Sequence, residues 1–327
     1  MGRTRLTLLV EDLANLAGAL PGDKSCPSIE LLLTRGNFRP GQAHSADGQR
    51  MALFGYADGD APFAALTRLA EDGASMPGGR YCLRADAVTQ RADMIRVFMT
   101  GAGLGDLPER EQQDLSHCID QVFESEGLNY SRAYDGSWIL ELETPPGFRF
   151  MPLDDALGMD MADALPPELE ARNWRRIINE AQVALHNHPV NIENRQAGRM
   201  EVNGIWIWGG GVLPEPAEES VFDSVFAEHP VTRGLAVLNG CEWRSLGSSN
   251  PDGFRPGERV LIDWTVKSRD ADAEVDRLES LFHGLLAPLR NGSLSLRVAS
   301  PEGRTWEIDR NALRRFWRRR ASLPDLI

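Results

Sequence analysis

His188-Pro-Val-Asn191, then Asn203, then Ile205-Trp-Ile-Trp-Gly-Gly-Gly-Val-Leu-Pro214 is the stretch on which the reading of the fold turns. Upstream of it, Trp174, Ile177, Ile178, Ala181 and Leu185 recur at helical spacing, and Pro189 disfavours helical backbone at the residue before it, so a helix should end at His186-Asn187-His188. Downstream, Ile205 to Trp208 reads as a strand with both tryptophans on one face, a pair better suited to core or interface packing than to ligand stacking. The three glycines that follow lack the lysine of a phosphate loop and the GxGxxG spacing, and a proline rather than a helix start comes next. A tight turn is expected there.

Further out, helix and strand patterns alternate. Leu6 to Val10 suits a buried strand. Pro27 to Arg35, Ala61 to Glu71, Glu109 to Glu126 and Ala271 to Leu289 suit helices, and Tyr81 to Arg84, Trp138 to Leu142, Leu235 to Leu238 and Val260 to Val266 suit strands. Ser293 to Val298 and Thr305 to Ile308 resemble a hairpin, and a last helix should start near Asn311. Such mixed elements, without internal repeat, indicate a layered α/β or α+β protein.

The chain of 327 residues is long enough for about two domains. Its net charge of −13 and pI near 5.0 make nucleic acid an unlikely partner and a membrane surface a poor one, because both attract basic surfaces. Cys26, Cys82, Cys118 and Cys241 are far apart and signal neither a zinc site nor a redox dithiol. The opening MGRTRLTLLV is cut short by Glu11-Asp12, which argues against a signal peptide. A bacterial, cytoplasmic protein is expected.

The HPVN segment, Asn203 and the glycines resemble the HPVN…N…GxGxxP stretch of archaeal-type cofactor-independent phosphoglycerate mutases, and more closely the RpfE-type proteobacterial proteins. Leu53-Phe-Gly-Tyr56, Pro27-Ser-Ile-Glu30 and Leu83-Arg-Ala-Asp86 are similar, in order, to the mutases' LFGY, PNxD and FRCN segments. The resemblance covers about residues 5 to 245. It implies an α/β fold with a three-layer alkaline-phosphatase-like core, here degenerate, formed by residues 1–90 and 216–327, with an inserted α+β domain at 90–215.

The mutases use a serine that is transiently phosphorylated and two divalent metals. Counted back from Tyr56, that serine falls on Ala46, with Ser45 one residue off. The first metal Asp-Gly corresponds to Glu11-Asp12, so the glycine is absent. The metal-binding Asp-His and Gly-His dipeptides occur nowhere in the chain, and Arg269-Asp-Ala-Asp272 stands where a DExGH motif would lie. Trp208 replaces an arginine of the family. No catalytic residue, metal ligand or cofactor is therefore assigned.

Arg84, His188, Asn191 and Asn203 are the family-like polar positions that persist, with Arg195 one place shifted from a family arginine, and together they could hold a phosphorylated or carboxylated metabolite without metal. In the alternative reading, Asn191 bonds its own backbone in a turn and Asn203 satisfies a strand edge. A regulatory or binding protein on a mutase-like scaffold is the leading expectation. A metal-dependent mutase or phosphatase with unrecognised ligands is the second, and a protein-interaction module without small ligand the third.

Between Arg310 and Arg320 there are six arginines and no acid. A helix there should dock through Leu313, Phe316 and Trp317 and turn its arginines outward. Arg314, Arg315, Arg318 and Arg319 are accordingly candidates for contact with an acidic protein partner, or else charges that pair with the chain's own carboxylates.

Overall fold

The computed structural model describes residues 2–20, 24–41, 45–57, 61–73, 79–105, 107–166, 171–248, 253–266 and 270–327. In chain order the strands are β1 (Thr4–Val10), β2 (Asn37–Pro40), β3 (Tyr81–Ala92), β4 (Val97–Ala102), β5 (Asn129–Arg132) and β6 (Trp138–Leu142). They continue with β7 (Gly204–Gly211), β8 (Ser224–Ala227), β9 (Glu242–Arg244), β10 (Arg259–Trp264), β11 (Leu294–Ala299) and β12 (Arg304–Ile308). Two compact units emerge, one of residues 1–60 and 216–327, the other of residues 61–215.

The first unit is built on a sheet ordered β2-β12-β11-β1-β10-β8-β9. From β11 to β9 its neighbours run parallel, and the hairpin β11–β12 and the edge strand β2 are antiparallel. Parallel strands flanked by helices need long apolar runs, which Leu8-Leu-Val10 and Val260-Leu-Ile262 provide. On one face, helices Pro27–Arg35 and Ala271–Asn291 bury Ile29, Leu32, Phe282 and Leu285 against Leu6, Leu8 and Val10. The long helix is bounded by capping chemistry. Asp270 accepts from the backbone amides of Asp272 and Ala273, and Gly292 takes the left-handed conformation, φ 83°, at its end. Asp270 and Asp272 thus serve at a helix start.

In the second unit β3 is one twelve-residue strand. It pairs antiparallel with β6 and then β4 along one edge and with β7 along the other. Because that strand runs unbroken from Tyr81 to Ala92, the unit boundary falls at Ala61 rather than near residue 90, and the helix Phe63–Asp72 goes with it. Ile205 and Ile207 face a core with Phe123, Ile178 and Leu185, while Trp206 faces Val88, Met99 and Met161.

Two further local expectations need correcting. Leu235 to Leu238 lies in a helix, Pro230–Leu238, because proline at its first turn and buried Val231, Leu235 and Ala236 give it a helical face. The glycine triplet is no turn. It is the end of β7, and its glycines are required by close approach: a Cβ on Gly211 would lie 2.5 Å from Pro62 Cβ and 2.9 Å from Pro62 Cα, and one on Gly210 would lie 2.4 Å from the Tyr81 hydroxyl.

Gly211→Ala should therefore force β7 and the chain at Pro62 apart, with a loss of stability on the order of 1–3 kcal/mol, read as a lower urea midpoint at unchanged slope. Gly105→Ala, at an open position, is the control and should change little.

Candidate functional site

β10 contains a single acid in an otherwise apolar run, Asp263, and its side chain is 0 % exposed. A carboxylate without water needs partners, and two neighbouring elements provide them. Arg50, from the helix Ala46–Leu53, places Nε 2.9 Å from Asp263 Oδ2 and Nη2 3.4 Å from Oδ1. Thr232, from the helix Pro230–Leu238, donates its hydroxyl to Oδ2.

The same guanidinium, 1 % exposed, reaches two further acids. Nη2 donates to Glu11 Oε2 at 2.7 Å, just beyond the end of β1, and Nη1 to Asp47 Oδ1 at 3.1 Å, one turn earlier on its own helix. His229 Nε2 lies 3.7 Å from the same Asp47 oxygen. The cluster thus sits at the carboxyl ends of two adjacent parallel strands, where open α/β sheets place their ligand sites.

Its electrostatics follow from burial and charge count. Burial disfavours the Arg50 cation, but Asp263, Glu11 and Asp47 together reverse that, so its pKa is raised and it stays protonated. Burial would likewise lift Asp263, yet the adjacent Arg50 charge and its hydrogen bonds hold that carboxyl below its ordinary value. For Asp47 burial prevails over Arg50, and its carboxyl is pushed up to about 6. Among the described residues no group of three or more His, Cys, Asp or Glu is placed to hold a metal ion. Any divalent ion at these carboxylates would face a guanidinium already bonded to all three, a repulsion of roughly 4 kcal/mol per unit charge at about 4 Å and an effective dielectric of 20. The residues present do not suit a dication.

Ser45 caps the helix that carries Arg50, its hydroxyl accepting from the Gly48 amide at 3.0 Å. His44 lies outside the described residues. Asp12, which follows Glu11, has φ 56°, the one non-glycine residue with positive φ among those described. It stands where the mutase pattern has glycine. The backbone turn is kept there with an aspartate, one of the few other residues that tolerate it.

Of the polar positions singled out from sequence in the second unit, Arg84 stands apart, and the others are engaged within the protein itself. Arg84, on β3, bonds Asp86 through Nε and Nη2 at 2.8 and 2.7 Å and Asp135 at 2.7 Å, with the Phe63 and Trp208 rings 5.4 and 5.8 Å away. Trp208 Nε1 donates to Asp86 as well, at 2.6 Å. Asn203 is six residues along β3, roughly 20 Å at strand rise, where its amide closes a two-bond ring with the backbone of Gln90. Asn191, fully buried, ties Leu185 O to both backbone groups of Val202. His188 caps the helix Pro189–Gln196, which begins just after the helix Arg172–His186 ends. Arg195 meets His186 and Glu201. Asn191 therefore bonds distant backbone, not that of its own turn.

At the C-terminus the helix stops at Leu313. Leu313 packs on the core, but Phe316 and Trp317 are 81 % and 66 % exposed and stack edge to face on each other rather than docking. The chain leaves helical geometry because its arginines find other acceptors. Arg315 donates to Arg35 O and Asn37 Oδ1, and Arg318 to Thr34 O and Gly36 O, so both serve the orphan carbonyls at the end of the helix Pro27–Arg35. Arg314 and Arg319 remain exposed without an ion pair among the described residues.

No family model matches the chain. It is similar to a probable 2,3-bisphosphoglycerate-independent phosphoglycerate mutase of Geobacter sulfurreducens, 22% identical over 249 residues that cover 71% of this chain and 61% of that one. A 2,3-bisphosphoglycerate-independent phosphoglycerate mutase of Methanosarcina acetivorans is 27% identical over 187 residues, 54% of this chain and 44% of the relative. The homology to cofactor-independent phosphoglycerate mutases is weak. The chain spans about half the length of the curated relatives it matches, 61% and 44% for these two. In fold it is similar to a solved protein of Pyrococcus horikoshii, with TM-score 0.53 and 13% identity over 94% of this chain and 88% of that one. The cofactor-independent phosphoglycerate mutase of Thermoplasma acidophilum aligns at TM-score 0.47 and 16% identity over 94% and 89%. No helix among the described residues is long and apolar enough to cross a membrane.

The raised carboxyl of Asp47 has a definite pH signature. A folded-state pKa above the ordinary 3.8 means that the native protein holds this proton more tightly, so its contribution is complete below about pH 4 and is lost as pH rises through about 6. The Asp47→Asn variant should flatten this part of the stability–pH curve, and the difference from the parent should not exceed about 3 kcal/mol, two pK units at 1.4 kcal/mol each. Urea titrations at half-unit steps from pH 4 to 7 read it directly.

Proposed function

We propose that this chain is a non-catalytic binding or regulatory protein on a phosphoglycerate-mutase-like scaffold, in keeping with the RpfE-type resemblance of its sequence. The observation that carries this reading is Arg50. A buried guanidinium bonded to Glu11, Asp47 and Asp263 puts a permanent side-chain cation at the carboxyl ends of β1 and β10. A carboxylate oxygen bonded to such a cation is a poorer base and a poorer metal ligand than a free one. The position that matches the mutase nucleophile is Ala46, and the hydroxyl one residue before it, Ser45, is engaged as a helix cap. The acids at this end of the sheet are thus tied to Arg50 in an ion-pair network, which favours a binding role over reaction chemistry.

Interconversion of 3- and 2-phosphoglycerate should be undetectable with the purified protein in the presence of manganese, cobalt or zinc, and elemental analysis should find no stoichiometric divalent metal. Turnover that disappears in Ser45→Ala, or two tightly held metal ions per chain, would overturn the reading in favour of a metal-dependent mutase or phosphatase.

A further inference from the structure

In the first unit a surface cavity of about 270 Å³ is lined by Leu31, Arg35, Arg290, Arg310, Leu313 and Arg314. Four of the six lining residues are arginines and none is an acid. In a chain with 48 acidic and 35 basic residues, that concentration of one sign is the opposite of what the bulk composition would place there. No carboxylate forms an ion pair with Arg290, Arg310 or Arg314 among the described residues. Arg35 is held by one bond, Nη1 to Leu313 O at 2.7 Å, and its buried Nε has no partner among the described residues.

Helix dipoles explain only part of the cluster. Arg35 and Arg290 lie in the last turns of their helices, where the partial negative charge of unpaired carbonyls stabilises a cation. Arg310 and Arg314 flank the single turn Arg310–Leu313, too short for a helix dipole to account for either. The backbone brings Arg310 in. The left-handed Gly292 ends the long helix, and the Arg310 stem packs over it, its Cδ 3.4 Å from where a Cβ would stand.

We propose that this cavity is an anion site for a phosphoryl-bearing small molecule with two or more negative charges. Guanidinium forks match phosphate oxygens with paired hydrogen bonds. Four of them over-neutralise a single carboxylate but suit a diphosphate or the phosphate end of a small ester. Leu31 and Leu313 supply a short apolar wall, and the volume accommodates a phosphate with a few further heavy atoms. In the ligand-free protein these like charges share one cavity with no carboxylate ion pair at Arg290, Arg310 or Arg314 among the described residues, and only Arg35 and Arg290 gain from helix ends. Site and instability are therefore two faces of one arrangement. This goes beyond the reading from Arg50 and does not depend on it, since no residue is shared.

The test uses inorganic phosphate and pyrophosphate as probes, at constant ionic strength set with sodium chloride, with sodium acetate as the carboxylate control. The melting temperature of the full chain should rise with pyrophosphate, less with phosphate and not with acetate. In Arg290→Gln/Arg314→Gln the pyrophosphate shift should fall at least tenfold in apparent affinity, while the ligand-free variant melts at or above the parent because repulsion is relieved. The single Arg314→Gln variant should show both effects in smaller degree. No shift with the parent at millimolar pyrophosphate, or an equal shift in the double variant, overturns the proposal. A ligand-free double variant that melts well below the parent would show instead that these arginines are structural. Phosphoglycerate turnover, were it found, would refute the Arg50 reading and leave this result untouched.

Discussion

The ion pair between Arg50 and Asp263 fixes more of the first unit than any other contact. Both groups are essentially without exposure, and they come from a helix and a strand 213 residues apart in sequence. Once Asp263 interrupts the apolar run of β10, something must enter the interior to meet it. The helix Ala46–Leu53 is drawn over the sheet by that need, Thr232 donates to the same carboxylate, and Glu11 and Asp47 each accept one further bond from the guanidinium. Removing one partner of such a set leaves an uncompensated buried charge, a cost of about 3–5 kcal/mol in proteins generally. Stability gained in this way is conditional on all members being present, which suits a scaffold meant to hold one arrangement.

The two units use buried arginine in comparable ways. In the second, Arg84 is clamped between Asp86 and Asp135 and flanked by aromatic rings, and burial of Asp135 is outweighed by Arg84 so that its carboxyl lies below the ordinary range. In both places a guanidinium serves as a structural cation, satisfied from several sides. The arginines around the cavity at Leu31 and Leu313 differ in having no such carboxylates among the described residues. That contrast between paired and unpaired arginine, more than the number of arginines, is what distinguishes scaffold from candidate binding surface.

How much of this could be read from sequence depended on whether the signal was local. The helices Pro27–Arg35, Glu109–Ser125 and Ala271–Asn291 and the hairpin β11–β12 were legible because periodicity and caps are written in adjacent residues. The continuation of β3 beyond Arg84 was not, since its register with β4 and β7 depends on strands far along the chain. The same holds for the Arg50 cluster. An isolated Asp263 within Val-Leu-Ile-Asp-Trp was the available clue to a buried charge, but nothing in the sequence near it names Arg50. The C-terminal helix was expected to continue because Leu313, Phe316 and Trp317 have helical spacing. Carbonyls at the end of a distant helix compete for Arg315 and Arg318, and propensity does not see that competition.

The order of strands in the first sheet has a consequence for how the molecule comes into being. β1 is flanked on both sides by strands from the late part of the chain, β10 and β11, so its parallel pairing closes loops of more than 250 residues. The second unit, by contrast, is a single continuous segment. Long-range pairing is slow because loop closure precedes any reward from contact. On a ribosome releasing about 5–20 residues per second, the middle of the chain is complete several seconds before the partners of β1 exist. The first sixty residues are thus held in waiting, with an apolar strand exposed, until the last third of the polypeptide arrives to receive them. On this topology the continuous middle segment is expected to fold ahead of the sheet that encloses β1.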